Sequence, residues 1–119
     1  MFLVTGISQY SYQKQRLILP NGDPILLTIQ FKPLQFGWFI TDLEYAPTSF
    51  VLEGARIVVS PNMLYQYKNK IPFGLACFTT NNQEPTQQQD FVSGFAKLYI
   101  LSEAEVAEFA RRINGQAGA

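Results

Sequence analysis

Residues 15–45, QRLILPNGDPILLTIQFKPLQFGWFITDLEY, carry apolar side chains at a period of two, interrupted by two turn signals. No other stretch constrains the chain as strongly. The first signal is Pro20-Asn21-Gly22-Asp23, where proline presets φ and asparagine and glycine accept positive φ. The second spans residues 32–37 and carries Pro33 and Gly37 near its ends. Between them Ile25, Leu27, Ile29 and Phe31 share one face, and Leu26, Thr28, Gln30 and Lys32 share the other. Three antiparallel strands are expected. Their apolar face must be buried, so the remaining chain is read as its cover.

Ahead of the meander, residues 1–14 begin apolar and turn polar and aromatic. Phe2, Leu3 and Val4 read as a short strand or docking arm that lies on its own sheet or pairs with a neighbouring subunit. After the meander, a loop at 46–49 leads to an apolar segment at 50–52 and a turn at Glu53-Gly54. A strand is expected over 55–59, with Ile57 and Val59 opposite Arg56 and Val58. Ser60-Pro61-Asn62 ends it and opens one helical turn through Met63, Leu64 and Tyr65. Pro72 and Gly74 precede a strand at 75–80, and another is expected at 96–101. Between those two, NNQEPTQQQD at 81–90 reads as an exposed loop, a kind of segment that is often functional or mobile.

Ser102 followed by Glu105 forms a capping box that opens a helix. Val106, Phe109, Ala110 and Ile113 give it one apolar stripe. Its acids fall early and Arg111-Arg112 are expected in its last turn, which suits the helix dipole. Gly115 is the expected stop, with residues 116–119 fraying. The expected fold is mainly β: a small antiparallel β-barrel or sandwich of six to seven short strands with a C-terminal α-helix. Residues 1–14 would be an arm, 15–101 the core, and 102–119 the helix and tail.

Composition narrows function by exclusion. The 119 residues suit one domain, and a hydrophobic share of 47% with 15% charged residues excludes a disordered chain. Nine basic and nine acidic residues cancel, which argues against nucleic acid as the main ligand. One cysteine cannot form an internal disulfide. The first residues lack the pattern of a signal peptide and no apolar run is long enough to span a membrane, so folding in the cytosol is expected. Without histidine, Ser-His and Cys-His nucleophilic pairs and most zinc sites are missing. Cys77 sits in an apolar strand and reads as a buried small hydrophobe. Asp42 and Glu44 share an alternation phase, which could suit a carboxylate pair or a solvated strand end. The chain is expected to be no enzyme, with no cofactor and no metal.

Abundant aromatic residues, ten Phe, six Tyr and one Trp, suggest a β-rich core or contact surface. Tyr65, Tyr67, Lys68 and Lys70 interleave aromatic and basic side chains, a pattern that can stack on and neutralise single-stranded nucleic acid. Tyrosines packed on the sheet with lysines in water is the plainer reading. Trp38 and Phe39 belong in the core, with the indole N–H bonded near an end of the sheet. A sugar-stacking use of Trp38 with Tyr45 is the alternative.

The order of several landmarks resembles phage tail baseplate plug proteins of the cyanophage myovirus type. These are LTIQF at 27–31, GWFITDL at 37–43, Gly54-Ala55-Arg56-Ile57-Val58, NMLYQYK at 62–68, a glycine-led strand at 74–80 and DFVSGFAKLYIL at 90–101. The resemblance covers residues 16–101, and the helix from 103 to 113 extends beyond it. It implies a non-enzymatic virion component of the tail baseplate, made in the host cytoplasm and held by hub, tube, wedge or spike subunits. No catalytic residue comes with it. Candidate partner contacts are Phe2, Leu3, Val4, Tyr65, Tyr67, Lys68, Lys70, Gln87, Gln88, Phe109 and Ile113. The alternative function is a small β-barrel module that binds glycan or single-stranded nucleic acid.

Overall fold

The computed structural model describes residues 1–117, and side chains through residue 112. The chain opens on β1 (Phe2–Leu3), followed by the meander as β2 (Tyr12–Ile18), β3 (Pro24–Lys32) and β4 (Gly37–Tyr45). All three meander strands pair antiparallel in sequence order. β2 begins at Tyr12, so three residues expected in the arm belong to the sheet. Ile25, Leu27, Ile29 and Phe31 are buried as their alternation requires. Thr28 is buried too, although its phase points outward. The register slips beside it, where Thr28 faces Asp42 but Ile29 faces Ile40, and the extra residue Thr41 donates its hydroxyl to the Thr28 carbonyl at 3.3 Å.

The sheet is completed by β5 (Phe50–Leu52) and β6 (Ala55–Arg56), which pair with successive parts of β4. Gly54, at φ 79°, makes the kink between them, and its N–H donates to the Ile40 carbonyl at 2.9 Å. The strand expected over 55–59 therefore stops at Arg56. Its continuation leaves the sheet: Ile57 still donates to Trp38, but Ser60 exchanges both backbone bonds with Cys77 on the far sheet. The helical turn also lies later than expected, as a 3₁₀ turn at Tyr65–Tyr67. Asn62 holds this crossing in place, because its buried side-chain oxygen accepts from the N–H groups of Leu64 and Leu75.

The second sheet contains β7 (Gly74–Thr79) and β8 (Ala96–Leu101), with β1 on the other side of β8. The described residues thus form a sandwich of eight antiparallel strands plus α1 (Glu103–Ala117). Leu75, Cys77, Leu98 and Ile100 face the main core. Ala76 and Leu101 face the opposite way and are buried under Val106 of α1. The helix therefore adds a third layer. Its capping box forms as expected: Glu105 accepts from the Ser102 N–H at 2.9 Å, and the Ser102 hydroxyl accepts from the Glu105 N–H at 3.3 Å. The helix runs past Gly115 to Ala117, so Arg111 and Arg112 do not fall in its last turn. Ile113 lies outside the described side chains, and residues 118–119 outside the described chain.

The segment 81–90 differs most from expectation. Its tip is exposed, but Pro85 and Asp90 are buried. The Asp90 carboxylate accepts from the N–H groups of Thr86 and Gln87, each at 2.9 Å. That holds the Gln87 carbonyl where it accepts the Trp38 indole N–H at 3.1 Å. Trp38 is 0% exposed and lies 5.5 Å from both Phe31 and Phe91, ring centre to ring centre. Replacing Trp38→Phe removes this hydrogen bond and leaves a void. It should cost about 2 kcal/mol, read as a lower urea midpoint at unchanged slope.

At the other end of the sheet, Tyr45 donates its hydroxyl to Asp23 at 2.8 Å. Burial, and then the carboxylate, push the Tyr45 pKa above its ordinary value of 10.0. The folded chain holds this proton more tightly than the unfolded chain. The resulting stability is present below pH 10 and is lost as pH rises through the folded-state value. Melting temperature followed from pH 9 to 11 should fall more steeply for the wild type than for Tyr45→Phe.

Candidate functional site

The β3–β4 connection is the most exposed apolar feature of the described surface. Leu34 is 94% and Phe36 67% exposed, both at the tip of the hairpin. Pro33 starts a 3₁₀ turn, Pro33–Gln35, and the Phe36 N–H returns to the Pro33 carbonyl at 3.2 Å. Phe36 itself is left-handed, at φ 51° and ψ 51°. By composition the special turn residues are Pro33 and Gly37, but the positive φ falls on a phenylalanine. A bulky residue there costs roughly 1–2 kcal/mol, and little burial of its ring offsets that.

The strained turn is held from below. The Arg56 guanidinium donates to the carbonyls of Gln35 at 3.1 Å and Phe36 at 2.8 Å. It fits because Gly37 has no side chain: a Cβ there would lie 2.6 Å from the nearest Arg56 nitrogen. Arg56 and Lys32 also lie over the Phe39 ring, at 5.4 and 4.8 Å from its centre. The tip is thus a preset apolar knob on a cationic collar. Proline, phenylalanine and glycine around an exposed leucine are its only sequence signal, and any tight turn shares most of that.

The residues singled out from sequence are scattered. Phe2 and Leu3 are exposed, but their backbone pairs with Ile100 and Tyr99 of the same chain, and Val4 is buried in the core. Tyr65 lies edge-on against Phe109 at 5.7 Å, and Lys68 sits over the same Tyr65 ring at 4.5 Å. Tyr67 packs against Phe50 at 5.1 Å. Their rings are engaged within the fold, leaving Lys70 exposed. Gln87 and Gln88 are exposed, with the Gln88 amide donating to the Gln9 carbonyl at 2.7 Å. Trp38 and Tyr45, the alternative sugar platform, are both buried.

Asp42 and Glu44 stand half-buried on β4, facing Thr28 and Leu26. Among the described residues no group of three or more His, Cys, Asp or Glu could hold a metal. Among those residues, too, no helix is long and apolar enough to cross a membrane. Compared with known protein families and with curated proteins, the chain matches none of them. Cys77 lies in the core, and burial, with a smaller effect of Glu84, pushes its thiol up to about 12. At pH 8 a disulfide reagent such as DTNB should leave Cys77 unlabelled in the folded protein and label it fully in denaturant.

Proposed function

We propose that the protein is a non-enzymatic structural component of a phage tail baseplate, acting through contacts with neighbouring virion subunits. The exposed knob of Leu34 and Phe36 carries this reading most directly. The fold gains little by keeping a strained, exposed phenylalanine, so a use outside the chain is the reason to retain it. Apolar side chains on a preset turn lose little freedom when they enter a partner's pocket. The plug-protein resemblance over residues 16–101 supplies the setting. The Gln-rich loop and the exposed Phe2-Leu3 strand offer further surface on other sides.

The carrying experiment separates folding from assembly. Phe36→Gly relieves the left-handed strain and should raise stability by up to about 1 kcal/mol. Leu34→Ser with Phe36→Ser should leave the melting temperature close to wild type. Both variants should fail to enter tails assembled in cells infected with a phage lacking the wild-type copy, scored by mass spectrometry of purified tails. Wild-type protein missing from those tails would sink the baseplate reading, as would a substrate turned over by the purified chain.

A further inference from the structure

We propose that the free edge of β2 receives an extended segment of another protein bearing carboxylates at alternate positions. This deepens the assembly reading and rests on it for the partner being a protein. The backbone register identifies the edge. Ser11 accepts from Phe31 and Leu19 donates to Asp23, which places the odd-numbered residues of β2 in the bonded pairs with β3. The N–H and C=O groups of Tyr12, Lys14, Arg16 and Ile18 therefore point away from the sheet. Among the described residues no hydrogen bond occupies them.

Among the described residues the sandwich has no other open edge of this length. β1 is two residues long, and the outer side of β7 is taken by Ser60 and Met63. Beyond β4 the edge is divided between β5 and β6 by the kink at Gly54. The seven residues of β2 are a continuous run. Gln13 secures its start, with its side-chain amide donating to the carbonyls of Ser8 and Tyr10 and its oxygen accepting from the Ser8 N–H.

Charge selects the occupant. Lys14 and Arg16 are exposed on one face, about 7 Å apart along the strand. The ion pairs among the described residues are Met1 with Glu105 and Arg112 with Glu108, so neither cation has a carboxylate partner there. A second copy is a poor occupant. Antiparallel self-pairing centred on Lys14, Gln15 or Arg16 sets a cation opposite a cation, which is destabilising. The same pair that rejects a copy suits a strand with Asp or Glu at two alternate positions. Exposed Tyr12 and Ile18 flank the cations on that face and add apolar contact beyond the acids.

Two capped peptides, VTETETV and VTKTKTV, titrated into the isotopically labelled protein at millimolar concentration test the idea. The acidic peptide should bind saturably, shift the amide signals of Tyr12, Lys14, Arg16 and Ile18, and protect them from exchange. It should bind at least about tenfold more tightly than the lysine peptide. Lys14→Glu with Arg16→Glu should reverse that preference. Lys14→Pro removes an edge N–H that makes no ladder bond, so it should abolish binding while the circular dichroism spectrum stays native. Absent binding, equal binding of both peptides, shifts mapping elsewhere, or dimers formed through β2 in sedimentation would each overturn the proposal. None of these results bears on the protein's presence in purified tails, which decides the assembly reading separately.

Discussion

The hydrogen bond from the Trp38 indole to the Gln87 carbonyl joins residues 49 positions distant along the chain and ties the meander to the opposite side of the sandwich. Trp38 belongs to the meander; Gln87 belongs to the connection between β7 and β8 of the opposite sheet. A fully buried indole must find an acceptor. Only a fixed loop can present one, and the Asp90 carboxylate fixes this loop by gathering two of its N–H groups. Phe31 of β3 and Phe91 of the β7–β8 connection then close on the indole. A polar, glutamine-rich segment thereby becomes a portion of the wall of the core.

What was legible in the sequence follows from the range of the forces involved. Alternation at residues 25–31 and the Ser102–Glu105 cap are local, and the structure has both. The strands expected at 75–80 and 96–101 also follow local pattern, and β7 and β8 form there. The burial of Pro85 and Asp90 in the 81–90 loop was not legible, because this segment is anchored by a tryptophan on a distant strand. The strand expected over 55–59 failed for a similar reason: its apolar alternation is real, but its hydrogen bonds divide between two sheets. The helix passes Gly115 although glycine is a poor helix residue; position alone did not make it a stop.

The candidate site was harder to read. Exposed aromatic residues and core aromatic residues look the same in a sequence, and this chain has many of both. Lysines around Tyr65 and Tyr67 give them the look of an open surface, yet Phe109 and Phe50 already occupy their rings. Leu34 and Phe36 read as ordinary turn residues. Only the left-handed φ at Phe36 and the Arg56 brace beneath it distinguish a rigid knob from a loose loop.

That brace has a mechanical consequence. Because Arg56 ties the tip to β6, a load applied at Phe36 is not absorbed by bending of the turn. It passes directly into β3 and β4, along their axes. Their ladder bonds to β2, β5 and β6 lie across that direction, so they resist together in shear and do not unzip in succession. Pulled by its knob, the domain is loaded in shear across its ladders.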